Sequence, residues 1–147
     1  MLARSDVTWL WDGTRWTSGP GGIDYADAGD SAKLGYDGAH RQLVYLSKQH
    51  SWTWEGSAWQ RHDQPQRRAG SLGYDPVRQQ VVFVEQDTAN CSKTACKTLT
   101  WTWNGESWST SAVAHPALLP LTRYSSSTPP MAFDHARGTL LLFVSAN

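Results

Sequence analysis

Apolar and polar positions along the chain follow two recurring patterns with a period of two. The first occurs in TWLWDGTRW, SWTWEGSAW and TWTWNGESW, which begin at residues 8, 51 and 100. In each, one residue separates two tryptophans, so both rings point to the same side of an extended strand. Asp-Gly and Asn-Gly pairs, as in the first and third clusters, are strong signals for a tight hairpin turn. Each cluster therefore predicts a β-hairpin with tryptophan on both arms, here named strands C and D.

A second hairpin pattern lies between the clusters, in KLGYDGAHRQLVYL (33–46), SLGYDPVRQQVVFV (71–84) and PMAFDHARGTLLLFV (130–144). Each stretch reads as a small-residue strand A, an aromatic-Asp corner, a short turn and an apolar strand B. The B strands LVYL, VVFV and LLLF are continuous apolar runs, which are expected where both faces of a strand are covered. A carboxylate at the corner can cap the turn. We predict this role for Asp37, Asp75 and Asp134.

The two hairpins alternate along the chain and define an internal repeat of four strands, A to D. No helical period competes with this pattern. The interpretation is a single segment, 1–147, in which two complete units are flanked by two halves. The ranges are a C-D half at 1–19, full units at 31–62 and 70–110, and an A-B half at 130–147.

Four-stranded antiparallel units of this length are typical of β-propeller blades. The aromatic-Asp corner, the apolar B strand and the Trp-x-Trp followed by Gly-x-x-Trp resemble the bacterial kelch-like repeats related to the propeller of galactose oxidase. The resemblance spans nearly the whole chain. Kelch repeats usually carry a Gly-Gly pair after strand B, where this sequence has Ser47-Lys48, Glu85-Gln86 and Ser145-Ala146. The resemblance implies an all-β propeller with three blades in this chain.

Tryptophan suits the outer part of such blades, because radial sheets diverge outward and need larger side chains between them. An aromatic side chain buries about 150–250 Å², which corresponds to a gross gain of roughly 4–6 kcal/mol as an upper bound. Packing between blades is therefore sufficient to explain the repeat, with ligand stacking as the alternative role. We predict packing for Trp9, Trp11, Trp16, Trp52, Trp54, Trp59, Trp101, Trp103 and Trp108.

Three blades do not close a ring, since propellers normally have four to eight. Exposed strand edges invite pairing with another chain. The trailing A-B half can complete a blade with the leading C-D half of a second copy, which predicts a six-bladed ring built as a C₂ homodimer. The alternative is that the sequence is a piece of a longer propeller.

Charge and cysteine content narrow the partners and the compartment. Thirteen basic and thirteen acidic residues cancel, which argues against nucleic acid and anionic membranes as partners. No apolar run has the length of a membrane helix, and the first residues lack the order of a signal peptide. A disulfide between Cys91 and Cys96 is favoured over two free thiols. The compartment stays open: secreted or extracellular if the two are bridged, otherwise cytoplasmic.

Variable loops on a rigid scaffold are the usual place for binding. In a propeller, the B-to-C and D-to-A connections share one face, which here comprises residues 17–33, 47–51, 60–70, 85–99 and 109–130. A solvated acidic loop, and arginines that bridge neighbouring loops, are the alternatives to ligand contact. The candidate ligand-binding residues on this face are Asp24, Tyr25, Asp27, His62, Arg67, Arg68, His115, Arg123 and Tyr124.

Two classes of function fit these features. The first, typical of kelch-like repeats, is a non-enzymatic scaffold or protein-binding module. The second is a carbohydrate-binding propeller, in which exposed aromatic rings stack on sugars. No Ser-His-Asp order, HExxH motif or phosphate-binding glycine loop is present, and no tyrosine, cysteine and histidine set matches the copper ligands of galactose oxidase. We therefore predict no catalytic residue, no metal and no cofactor.

Overall fold

The computed structural model describes residues 7–23, 32–47, 49–63, 70–91, 96–110 and 129–143. Within these ranges the chain forms twelve β-strands and no helix. The strands are β1 (Trp9–Trp11), β2 (Trp16–Ser18), β3 (Lys33–Asp37), β4 (Gln42–Leu46), β5 (His50–Trp54), β6 (Trp59–Asp63), β7 (Gly70–Asp75), β8 (Gln80–Cys91), β9 (Cys96–Trp103), β10 (Trp108–Thr110), β11 (Met131–Asp134) and β12 (Thr139–Leu142).

The strands form four antiparallel sheets in which each strand pairs with its neighbours in the sequence. Half-sheet 1 contains β1 and β2, sheet 2 contains β3 to β6, sheet 3 contains β7 to β10, and half-sheet 4 contains β11 and β12. In the described part of the chain no sheet closes on itself. The predicted all-β architecture of four-stranded antiparallel sheets is confirmed at this level.

Both predicted hairpin types are present, and the register explains the positions of the tryptophans. Trp11 faces Trp16 across the first C-D hairpin, with ring centroids 5.4 Å apart. The loop between them, residues 12–15, is longer than the two-residue turn that Asp-Gly usually indicates. Gly13 lies in it at a φ of 100°, a conformation that side chains disfavour. The same glycine position in the other two loops has a φ of 106° at Gly56 and 100° at Gly105.

The aromatic-Asp corners are capped as predicted. Asp75 Oδ1 accepts hydrogen bonds of 3.0 Å from the backbone N–H groups of Val77 and Arg78. Its Oδ2 accepts a further bond of 2.8 Å from the Arg78 guanidinium. Asp134 makes the corresponding contacts with its own turn and with the guanidinium of Arg137. Asp37 makes them too, with the imidazole of His40 in place of a guanidinium. Each carboxylate therefore satisfies turn donors that would otherwise rely on water.

The sheets are arranged as a stack in which the A strands are neighbours, with β3 beside β7 and β7 beside β11. Glycine in strand A permits this close approach. Leu72 Cδ2 lies 3.0 Å from the position that a Cβ on Gly35 would take, so the leucine of one sheet covers the glycine of the preceding sheet. Met131 covers Gly73 in the same way. The same contact between an apolar side chain and a strand A glycine therefore occurs at two boundaries between sheets.

The buried core lies between sheets 2 and 3. Its members come from strands B, C and D: Val44, Leu46, Val81, Phe83, Trp103 and Trp108. All are at most 8 % exposed. Because the core belongs to an interface between two sheets rather than to one sheet, each sheet depends on a neighbour for its stability.

The two cysteines lie on strands rather than in the polar loop that the sequence predicts. Cys91 ends β8, Cys96 begins β9, and the two are register partners across the hairpin. A β-irregularity separates this pair from the regular ladder that ends at Asp87. Facing positions in an antiparallel pair have a Cα separation within the range of disulfides. The bridge, and the compartment that it would imply, stay predictions.

Candidate functional site

Of the nine ligand-binding candidates, His62 alone lies within the described ranges. It is in β6, where the strand continues to Asp63 and so includes residues that the sequence assigns to a loop. The other eight fall outside the described residues, namely Asp24, Tyr25, Asp27, Arg67, Arg68, His115, Arg123 and Tyr124. Whether the variable loops bring them together stays a prediction.

His62 is half-buried between sheets 2 and 3. Its Nε2 lies 2.8 Å from Thr53 Oγ1 on the neighbouring strand. Its ring packs edge-on against Trp103 of sheet 3, with ring centroids 5.3 Å apart. Burial lowers the pKa of His62, and the carboxylate of Glu106 opposes this shift. The contacts give His62 a role in packing one sheet against the next, and the neutral imidazole is the form that this environment favours.

Indole-to-hydroxyl hydrogen bonds connect sheet 3 with sheet 2, and sheet 2 with half-sheet 1. Trp108 Nε1 in sheet 3 donates to Ser51 Oγ in sheet 2 at 2.8 Å. Trp59 Nε1 in sheet 2 donates to Thr8 Oγ1 beside half-sheet 1 at 2.7 Å. The sequence contains a signal for these acceptors that the motif analysis missed. A small hydroxyl residue precedes the first tryptophan of every cluster, at Thr8, Ser51 and Thr100.

The A-B turn of sheet 2 contacts the C-D loop of sheet 3. Gln42 Nε2 donates to the carbonyl of Gly105 at 3.0 Å. His40 Nε2 lies 2.5 Å from the position that a Cβ on Gly105 would take. The corresponding glycines of the other two C-D loops, Gly13 and Gly56, have no atom within 4 Å of that position. These short turns therefore share one end of the stack, as the sequence predicts for this pair.

Burial alternates from residue to residue along the B strands β4 and β8. In both strands the buried residues are those that face the other four-stranded sheet. In β4, Val44 and Leu46 face sheet 3 and are buried, whereas Leu43 and Tyr45, which alternate with them, are half-buried. In β8, Val81 and Phe83 face sheet 2 and are buried. The continuous apolar runs therefore have two apolar faces, and the fully buried faces are the ones that meet between the two complete sheets.

In β12 the outward face has no cover in the described structure. Leu140 contacts the position of a Cβ on Gly73 and so faces sheet 3. Leu141 and Phe143 alternate with it and are 53 % and 70 % exposed. Their counterparts in β4, Val44 and Leu46, are 0 % and 2 % exposed. One flank of the stack thus ends in an apolar strand face.

The opposite flank ends in exposed tryptophans. The exposed fractions are 60 % for Trp9, 53 % for Trp11 and 62 % for Trp16, whereas Trp52 and Trp54 in sheet 2 are 7 % and 6 % exposed. Packing is predicted for all nine tryptophans, and within one chain these three depart from it. The physical reason is that half-sheet 1 has no A and B strands among the described residues.

An apolar cleft lies between half-sheet 1 and sheet 2. It has a volume of about 410 Å³. Its walls include Thr8 and Trp9 on one side and Leu34, Tyr45 and Trp59 on the other. Leu34 is 59 % exposed, although the equivalent Leu72 packs on the preceding sheet. The chemistry of the walls suits apolar side chains rather than an ion or a charged ligand.

The described residues contain no group of three or more His, Cys, Asp or Glu side chains placed to hold a metal ion. No helix in the described ranges is long and apolar enough to cross a bilayer. Comparisons with protein-family models, curated proteins and solved structures gave no match to this chain.

Proposed function

We propose that two copies of the chain assemble into a six-bladed β-propeller that acts as a non-enzymatic binding or scaffold module of the kelch-like kind. One observation carries the proposal. The two flanks of the stack are half-sheets of opposite type, a C-D hairpin and an A-B hairpin, and together they contain the four strands of a complete sheet. Each copy would contribute two full blades and one half of each of the two shared blades.

Strand edges and apolar area both favour this closure. In the described structure β1 and β12 have one strand neighbour each, although B and C strands pair with each other in both full sheets. An exposed edge next to an apolar face is a template for another strand. The wedge shape of blades disfavours a ring of three, since propellers normally have at least four.

Binding in such a ring would use the end opposite the short turns. The A-B and C-D turns are compact and similar, whereas the B-to-C and D-to-A connections differ in length and content. Loops of the second kind, held on a rigid ring, are suited to recognise a protein partner. The nine candidate residues are predicted from the sequence to lie on this face, and a partner-binding role for the eight other than His62 is part of the proposal.

Carbohydrate binding is the second candidate function, because the three tryptophans of half-sheet 1 are exposed in the single chain and one of them, Trp9, lines the apolar cleft. Aromatic faces at a cleft can stack on sugar rings. In the ring these tryptophans would be covered. Carbohydrate binding therefore requires these side chains to stay exposed, whereas ring closure requires them to be buried.

The experiment for the proposal is the molar mass in solution by light scattering, followed by a glycan array on the same sample. We expect a mass of about twice 16.4 kDa and no glycan hit. A mass near 16.4 kDa together with a cooperative unfolding transition would overturn the ring. A clear hit on the array would favour the carbohydrate-binding function.

A further inference from the structure

We infer that the apolar cleft between half-sheet 1 and sheet 2 is the binding site for Leu141 and Phe143 of a second copy, with β12 of that copy pairing with β1. The inference rests on the proposed ring and specifies its interface residue by residue. It identifies the occupant of the cleft as a segment of the same sequence.

The register of the A-B hairpins establishes which residues are equivalent. The corner aspartate pairs with the first residue of strand B in all three hairpins: Asp37 with Gln42, Asp75 with Gln80, and Asp134 with Thr139. Counting from these pairs, Leu141 corresponds to Val44 and Phe143 to Leu46.

The environment of Val44 and Leu46 is therefore a template for the missing contact. Both side chains belong to a core cluster with Phe83 and Trp108 of the following sheet, and Leu72 packs against that cluster. The residues of sheet 2 equivalent to these three are Tyr45, Trp59 and Leu34, all of which line the cleft. The cleft therefore shares three walls with the core and lacks the two apolar side chains that fill it.

Volume is consistent with this occupant. An apolar cavity of about 150 Å³ accommodates a benzene ring. The cleft, at about 410 Å³, therefore has room for one leucine and one phenylalanine side chain. Both residues are exposed in the chain, so their transfer into the cleft removes apolar surface from water on each copy.

The backbone register follows from the two complete sheets. Strand B pairs antiparallel with strand C, with Val44 opposite Thr53 and Val82 opposite Thr102. The equivalent pair in a shared blade is Leu141 of one copy opposite Leu10 of the other. This is strand addition at a sheet edge, in which backbone hydrogen bonds supply affinity and alternate side chains supply specificity.

Strand A gives an independent indication of the same partner. Leu72 covers Gly35, and Met131 covers Gly73, each on the preceding sheet. Leu34 is the equivalent residue of sheet 2, and in the ring its neighbour would be Ala132 of the second copy. Alanine adds one methyl group where Gly35 has none, and in the Gly35 case that position is 3.0 Å from the leucine, so Leu34 would pack there after a small shift. Leu34 is exposed in the single chain.

The first test is the molar mass of Phe143→Asp, with Val77→Asp as the matched control. Val77 is 65 % exposed and lies in the A-B turn of sheet 3, against Gly138 of its own chain. We expect the Phe143→Asp chain to fold, because its side chain is exposed, and to have about half the mass of the parent. The Val77→Asp chain is expected to keep the parent mass. Circular dichroism of both variants verifies that the sheets are formed.

The second test is disulfide crosslinking of Leu10→Cys/Leu141→Cys. Directly opposed positions are about 4.5–5.5 Å apart and diagonal positions about 7–8 Å, and disulfides need about 4.4–6.8 Å between Cα atoms. The register therefore predicts a covalent dimer for this pair and far less for the offset control Leu10→Cys/Thr139→Cys. The parent chain, with its two native cysteines, gives the background level.

The outcomes separate the interface from the ring itself. A dimeric parent, a monomeric Phe143→Asp chain and selective crosslinking of the 10/141 pair support the inference. A dimeric Phe143→Asp chain, or preferential crosslinking of the offset pair, would overturn the interface and leave the ring. A monomeric parent would overturn the proposed function and the interface together.

Discussion

Trp108 Nε1 donates a hydrogen bond of 2.8 Å to Ser51 Oγ across the boundary between sheets 2 and 3. Both residues are buried, and the same contact recurs between Trp59 and Thr8 at the preceding boundary. The bond joins two sheets that share one apolar core. The change in the free energy of unfolding when this bond is removed therefore measures how strongly neighbouring sheets are coupled.

Replacement of Ser51 by alanine should destabilise the chain. The substitution leaves the indole N–H of Trp108 buried without its acceptor, which costs about 1–3 kcal/mol. Urea unfolding followed by tryptophan fluorescence measures the loss. Ser51→Ala/Trp108→Phe should cost less than the sum of the two single variants, because the orphaned donor is removed with its acceptor. Additive losses would mean that the bond contributes nothing.

His62 should make stability depend on pH below neutrality. Burial lowers its pKa below the ordinary value of 6.5, with the Glu106 carboxylate opposing. Because the folded pKa is below the unfolded one, the unfolded chain takes up the proton more readily. The contribution of neutral His62 is complete above about pH 6.5 and is lost as the pH falls through the folded pKa. The free energy of unfolding measured between pH 7 and 5 should show this decline.

His62→Gln is the control for that pH dependence, since glutamine can still hydrogen-bond but does not titrate. We expect a flatter profile for this variant. Glu106→Gln should lower the pKa of His62 further in an NMR titration, because the carboxylate favours the charged imidazole. An unchanged profile in His62→Gln would assign the decline to other groups.

Asp12 should have an unusually acidic carboxyl group because of its hydrogen bonds in the first C-D loop. The hydroxyl of Thr14 lowers the pKa of Asp12 to about 2, together with the backbone N–H groups of Arg15 and Thr14. A lowered folded pKa gives stability that is present above about pH 3.8 and lost as the pH falls through about 2. We expect Thr14→Val to raise the pKa in a carboxyl NMR titration by more than Arg15→Ala does. The reverse order would contradict the assigned cause.

Alanine should be tolerated differently at two glycines with the same backbone conformation. Gly13 and Gly105 both have a φ of 100°, so the backbone strain is equal. A Cβ at residue 105 meets His40, which its own bond to Asp37 holds in place, whereas a Cβ at residue 13 meets nothing. Steric overlap adds roughly 1–3 kcal/mol. At concentrations where the chain is monomeric, Gly105→Ala should therefore be the less stable variant by denaturant unfolding, and equal losses would exclude the turn contact.

Tryptophan quenching should report closure of the ring. Trp9, Trp11 and Trp16 are exposed in one chain and would be covered in the dimer. Acrylamide quenching is therefore expected to fall as protein concentration rises through the dissociation constant. In Trp16→Phe the concentration-dependent part should be smaller. Quenching that is constant over a concentration range in which the mass changes would show that dimerisation leaves these rings exposed.

Much of the fold was predictable because its information is local. The Trp-x-Trp spacing, the Gly after it and the aromatic-Asp corner each act within a few residues, and the strands and Asp caps follow from them. The ends of the longer strands were harder to predict. Residues 85–99 read as a loop from their polarity, yet β8 reaches Cys91 and β9 begins at Cys96. Beyond Glu85 the ladder has only the two strands β8 and β9, and its polar sequence has no apolar alternation, so this part had no hydrophobic signal.

The candidate site was only partly accessible from sequence. The sequence predicts His62 to be a loop residue with a ligand-binding role, whereas its surroundings are Thr53 and Trp103 on two different sheets. The roles of Ser51 and Thr8 do not follow from the tryptophan motif alone, although a hydroxyl residue precedes the first tryptophan in every cluster. Neither a strand's end nor a partner on another sheet is encoded in local spacing, so both depended on the assembled stack.

The sequence by itself determined which segments form hairpins, which residues turn them and that a four-stranded unit repeats. Local periodicity and turn chemistry are sufficient for those features, since they involve contacts between near neighbours in the chain. Only the tertiary structure decided which face of each B strand is buried. Val44 and Leu141 occupy the same position of the same hairpin, and one is buried while the other is exposed, because a side chain is buried by the sheet beside it and not by its own strand.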